Sequence, residues 1–98
     1  MFIVIRKYRV QRGMGAELAG RVREGFLPLL ERMPGLRGHH LLEAGQDVLV
    51  TITMFDGADG ALASSEVAAE WARDNVLEFV RGVPEIMVGD ALISESGG

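Results

Sequence analysis

The sequence predicts an α+β fold in the order β-α-β-β-α-β, with a four-stranded antiparallel sheet that is completed by pairing with a second copy of the chain. Three observations lead there. Short β-branched runs alternate with helically spaced apolar stripes in that order. The 98 residues hold one domain, and a chain this short buries a modest share of its surface. Two helices cover only one face of a sheet, and here the strands are apolar on both faces.

Residues 2–9 form an apolar, β-branched run bounded by Gln11-Arg12-Gly13, the pattern of a buried strand. From 15 to 33, Leu18, Val22, Phe26, Leu29, Leu30 and Met33 recur at three- and four-residue steps, which predicts an amphipathic helix. Pro28 inside it removes a donor, so the Glu24 carbonyl loses its usual partner and the axis is expected to kink. Pro34-Gly35 then stops the helix.

Residues 36–43 and 48–55 read as an antiparallel hairpin around Ala44-Gly45-Gln46-Asp47. Pairing Ala44 with Asp47 sets His40 opposite Thr51 and His39 opposite Ile52, and a slip of one residue exchanges the two histidines. A turn-rich link, Asp56-Gly57-Ala58-Asp59-Gly60, leads into a second helix that runs to about Phe79. Asp59, Ser64 or Ser65 is the expected cap. Its Ala61, Ser65, Ala68, Ala72 and Val76 form a stripe of small residues suited to lying close to a sheet. Gly82-Val83-Pro84 is expected to end this helix, 86–94 to form the last strand, and the domain to occupy 1–95 with 96–98 as a frayed tail. This order, with connections long enough for right-handed crossovers, is the ferredoxin-like split βαβ arrangement. Its uncovered face, carrying either Phe2 and Val4 or Ile3 and Ile5, favours a twofold sheet-to-sheet homodimer.

Composition removes several function classes. Residues 1–40 carry eight Lys or Arg against three acids, and 41–98 carry two against eleven, for a net charge of −4. Such a chain lacks the basic stripe that nucleic-acid binding requires, and the third strand offers only Phe55 for base stacking. The opening apolar run meets Arg6 and Lys7 too soon for a signal peptide or membrane span, so a cytoplasmic protein with no membrane association is expected. No cysteine is present, which removes disulfides, thiolate metal sites and a cysteine nucleophile. Phosphate-binding glycine loops and metal ligands at helical spacing are absent as well.

On its element order, on Met33-Pro34-Gly35-Leu36 before the second strand, and on Thr53-Met54-Phe55-Asp56 before the second helix, the chain resembles the dimeric α/β-barrel superfamily. Within it, the likeness is to the antibiotic-biosynthesis-monooxygenase-like domains and spans Met1 to Ser94. The resemblance implies a homodimer with a pocket between sheet and helices in each subunit. In some members that pocket oxidises phenolic polyketides with oxygen and no cofactor, and in others it degrades haem. This sequence has Phe55 where enzymatic members often have tryptophan, and no histidine on the second helix, where haem iron would find its axial ligand.

His39 and His40 are the two histidines, and as neighbours on a strand they point to opposite faces. In the enzymatic reading His40 removes a phenolic proton, Arg6 stabilises the anion, and the electron-rich substrate reduces oxygen directly, with no cofactor and no metal. Tyr8, Thr51, Phe55 and Trp71 are the expected substrate-binding residues. Ser64-Ser65-Glu66 has no nearby base and reads as a cap rather than a nucleophile. Two functions stand at this level: a cofactor-independent monooxygenase acting on an aromatic or apolar small molecule, and a non-catalytic dimeric module that binds a small ligand or only assembles.

Overall fold

A computed structural model describes residues 1–95, so the expected tail at 96–98 lies outside the described residues. The elements follow the predicted order: β1 (Phe2–Val10), α1 (Gly15–Arg21), a π-helical turn (Val22–Phe26), α2 (Leu27–Glu31), β2 (Leu36–Glu43), β3 (Val48–Phe55), α3 (Ala58–Asn75), a 3₁₀ turn (Leu77–Phe79) and β4 (Val80–Asp90). The sheet order is β2-β3-β1-β4 with every neighbouring pair antiparallel. This is the ferredoxin-like topology, with the helices on one face.

The predicted first helix is α1, the π turn and α2 in succession. The N–H of Leu27 bonds to the carbonyl of Val22, an i→i−5 link, and Pro28 opens α2 immediately afterwards. A proline is tolerated in the first turn of a helix because its missing N–H has no partner to lose there. The wider π turn is how the chain restarts a helix at Pro28 without a break. Gly35 follows with a φ of 83°, a left-handed conformation that a side chain would resist.

Three boundaries differ from the sequence reading. The last strand runs Val80–Asp90, not 86–94, and Gly82-Val83-Pro84 lies inside it. The register against β1 shifts between Lys7 and Arg9, where Gly82 has a φ of 73°. These residues are therefore an irregularity in an edge strand opposite Tyr8, a place that accepts both proline and a positive-φ glycine. Second, α3 starts after Gly57 with no side-chain cap. Ser64 and Ser65 sit inside the helix, each donating to the carbonyl of Ala61. Third, the hairpin register is one residue from the expected one. The N–H of Ala44 bonds to the carbonyl of Val48 across a three-residue loop, Gly45-Gln46-Asp47. Asp47 holds a φ of 59°, which aspartate tolerates better than most residues.

That slip puts His39 beside Thr53, His40 beside Ile52 and Leu41 beside Thr51. Reading straight across the sheet, the helix-side rows are His39, Thr53, Val4, Val88 and then Leu41, Thr51, Arg6, Ile86. The opposite face carries Gly38, Met54, Ile3, Gly89 and then His40, Ile52, Ile5, Met87. Of the two sequence alternatives, Phe2 and Val4 lie beneath the helices, and Ile3 and Ile5 lie on the uncovered face. Two clusters fill the covered side. Val4, Phe26, Leu30, Phe55, Ala61 and Ala68 form one, and Val10, Leu18, Leu49 and Val76 the other, with Trp71 packed against both. Among the described residues no helix is long and apolar enough to cross a membrane.

Candidate functional site

The sheet and helices enclose an inner cavity of about 40 Å³. Alternation along β1 aims Arg6 and Tyr8 into it, and the same period on β3 aims Leu49 and Thr51. Val22 and Phe26 enter from the π turn, and Ala68, Trp71 and Ala72 from α3. The π turn matters here because its extra residue sets the angle at which these two side chains meet the sheet. Phe26 and Trp71 are 5.4 Å apart between ring centroids, and Phe26 meets His39 edge-on at 6.1 Å. Phe26 and Trp71 thus give this wall two packed aromatic rings.

Outside this cavity an open groove of about 550 Å³ runs between α1, the π turn and the β2 edge, with His39, Arg23, Glu43 and Asp47 as polar members. Val22, Leu41 and Leu49 line both spaces. Three apolar side chains thus partition a groove of ligand size from a small interior with an apolar lining.

Arg6 is only 5% exposed and donates from Nη2 to Ser65 Oγ at 2.7 Å. Burial lowers its pKa, an effect the nearby Tyr8 opposes. Tyr8 is pushed up by burial and pulled back by the Arg6 charge. His39 Nδ1 is hydrogen-bonded to Thr53 Oγ1 at 2.8 Å, while its Nε2 is buried without a partner. Burial, then His40, then Arg6 lower its pKa, so the ring is neutral at neutral pH and able to take a proton. Thr51 Oγ1 is the second buried polar atom without a partner.

The structure brings Arg6, Tyr8, Thr51 and Trp71 to one cavity. It does not bring the other two expected residues there. His40 is exposed on the far face of the sheet, because the register slip gives the helix side to His39. Phe55 is fully buried in the core two residues beyond Thr53, opposite Phe2, and is absent from the cavity wall. Sequence reasoning did not single out Phe26, Leu41 or Thr53 as site residues. The helical stripe carried Phe26 as a core position, and the other two depended on the register.

Among the described residues no group of three or more His, Cys, Asp or Glu side chains is placed to hold a metal ion. Residues 15–31 and 58–75, which form the helical roof, contain no histidine, cysteine, tyrosine or methionine, so the roof supplies no ligand for haem iron.

No protein-family model matches the chain, and no curated protein matches it either. Solved structures do. A protein of unknown function from Nitrosomonas europaea, NE2512, superposes with a TM-score of 0.82 at 19% identity, over 99% of this chain and 94% of that one. The monooxygenase from the gene ActVA-Orf6 of Streptomyces coelicolor, solved with the ligand nanaomycin D, gives 0.81 at 10% identity over 99% and 92%. An MhuD mutant with two manganese protoporphyrin IX bound per active site gives 0.78 at 20% identity over 99% and 100%. The chain shares its fold with these structures and with two putative antibiotic biosynthesis monooxygenases, from Nitrosomonas europaea and Bordetella bronchiseptica.

Proposed function

We propose that the chain works in the cytoplasm as a homodimer whose chamber between helices and sheet binds an aromatic or apolar small molecule and oxidises it with oxygen, without a cofactor. The observation that carries this reading is the placement of a neutral His39 beside Phe26 on the groove and of Arg6 and Tyr8 in the adjoining interior, with Val22, Leu41 and Leu49 between them. The fold shared with a monooxygenase that holds nanaomycin D supports it.

With Nδ1 tied to Thr53, His39 offers Nε2 to a phenolic proton, and Arg6 stabilises the phenolate. The phenolate donates electrons to oxygen, one oxygen atom bonds to the free para carbon, and the other leaves as water with the two displaced hydrogens. Phenol and oxygen thus give a para-quinone and water, and the substrate supplies all four electrons. The residues carry this role through His39, not His40, because only His39 is on the helix side.

The dimer follows from the uncovered sheet face. Its central row holds Ile52 and Ile5, and Met87 at the end of that row is 69% exposed. An apolar strip of this kind is removed from water by a second copy across a twofold axis. Light scattering should give twice the chain mass at micromolar concentration, and Ile5→Glu should give the single-chain mass; a single-chain mass for the unaltered protein ends the dimer reading.

Oxygen uptake with hydroxylated naphthalenes and anthrones tests the chemistry. One oxygen should be consumed per quinone formed, and His39→Ala should lower the rate by about 100-fold or more. An unchanged rate in His39→Ala overturns the assignment. A second reading, binding without catalysis, is favoured by the Val22, Leu41 and Leu49 partition, which keeps a groove ligand from Arg6 and Tyr8. Saturable ligand binding with no oxygen uptake selects it.

A further inference from the structure

Strand β4 is apolar on both faces and covered on neither. Met87 points to the uncovered side of the sheet, while Ile86 and Val88 point to the helix side and are still 60% and 59% exposed. The helices therefore stop short of this edge. The register sets Arg6 beside Ile86, and Arg6 donates to Ser65 Oγ, so the flank of α3 that carries Ser65 is the one that adjoins β4. About one turn to either side of Ser65 that flank presents the exposed Leu62 and Ala69, and Arg73 follows a turn later. With Ile86 and Val88, these residues bound an apolar trough that is open to water.

The segment after β4 is apolar as well and rests on nothing. Leu92 is 97% and Ile93 90% exposed, and the one charge in residues 91–95 is that of Glu95. The segment cannot seat itself at Ile86 of its own chain. Strand β4 stays paired with β1 as far as Asp90, and the Ala91 N–H then bonds to the Met1 carbonyl. At about 3.3 Å per residue Ala91 lies about 17 Å beyond Ile86, and residues 92–95 span less than that even when extended. Leu62, Ile86, Met87, Val88, Leu92 and Ile93 together expose roughly 400 Å² of apolar surface, taking about 100 Å² for a whole aliphatic side chain. That is about half of the ~800 Å² each partner gives to a stable interface. A sheet-to-sheet contact alone covers Met87 and leaves the other five wet.

We infer that residues 91–95 of each subunit seat in the α3–β4 trough of a second copy, with Leu92 and Ile93 against Ile86 and Ala69 and Glu95 toward Arg73. The contact is reciprocal across a twofold axis and rests on the dimer proposed above. The seated segment also roofs Ser65, closing over the hydrogen bond that holds Arg6.

The chain has no cysteine, so introduced thiols report alone. Ala69→Cys/Leu92→Cys is treated with a short bis-maleimide at micromolar concentration, beside each single variant. A covalent dimer is expected in the double variant and in neither single one. A bridged single chain, no bridge at all, or a covalent dimer in either single variant overturns the inference. Leu92→Ser/Ile93→Ser should keep the folded circular-dichroism spectrum, because both side chains are exposed, and raise the dimer dissociation constant about tenfold or more. An unchanged constant overturns the inference too. Light scattering on the unaltered protein separates the two failures: twice the chain mass without a bridge leaves the sheet-to-sheet dimer standing, whereas a single-chain mass removes both.

Discussion

Phe26→Ala tests whether the π turn, the aromatic wall and the core are one structural unit. Phe26 is 7% exposed, belongs to the cluster with Val4, Leu30 and Phe55, and touches the rings of both Trp71 and His39. Truncating a buried phenylalanine costs about 3–5 kcal/mol through lost transfer energy and the cavity left behind. Each well-placed aromatic pair adds about 0.5–1.5 kcal/mol beyond area. A domain of 98 residues has a total stability of about 5–15 kcal/mol, so a loss of about 4 kcal/mol is about a quarter or more of the whole. Urea unfolding followed by Trp71 emission, at one fixed protein concentration because association contributes to stability, measures it. We expect a midpoint shift equivalent to about 4 kcal/mol and a folded-state emission already altered in the absence of urea. A change below about 1 kcal/mol would mean that Phe26 is not packed as described, and with it the aromatic wall would go.

Three further outcomes follow from the same geometry. The His39 pKa is lowered on folding from its ordinary 6.5, so the unfolded chain binds the extra proton first. Stability attributable to His39 is therefore present above pH 6.5 and declines as pH falls toward the folded value; His39→Gln should flatten that slope, and an unchanged pH profile would contradict the burial of the ring. Tyr8 is the only tyrosine and is held above its ordinary 10.0, so its ionisation, read by tyrosinate absorbance, should occur at higher pH in the folded protein than in urea. Stability should correspondingly fall as pH rises past 10.0, and coincident titrations in the two states would refute this. In Gly25→Ala the new methyl would lie 3.0 Å from Trp71 Nε1, so Trp71 must move; a red-shifted emission and a loss of about 1 kcal/mol are expected, overpacking outweighing the helix preference for alanine. An unmoved emission maximum would show that the contact is slack.

Element order was legible because each segment's apolar spacing matches one period only. The alternation of Val48 to Phe55 cannot be drawn on a helix, and the spacing of Leu18, Val22 and Phe26 cannot be drawn on a strand. The bounds of β2 and β3 agree with that reading. Arg6 and Tyr8 were readable as sharing a face with Val4, and Thr51 as sharing one with Thr53, on the same grounds, whereas which face lies under the helices was open until the structure placed Val4 there. The β4 start was not readable, because Gly82 and Pro84 break strands in isolation and are tolerated only where an edge strand bulges opposite Tyr8.

Local chemistry therefore settles how many elements there are, their types, and which residues share a face. Pairing between distant segments decides the rest. His39 and His40 are adjacent and chemically identical, and what separates a buried base from an exposed imidazole is a hairpin loop of three residues instead of two, with Asp47 in the left-handed conformation. The physical reason is the two-residue period of a strand: a single step of register exchanges its faces, and the energy that selects the step is spread over the whole β2 to β3 ladder and the helices above it.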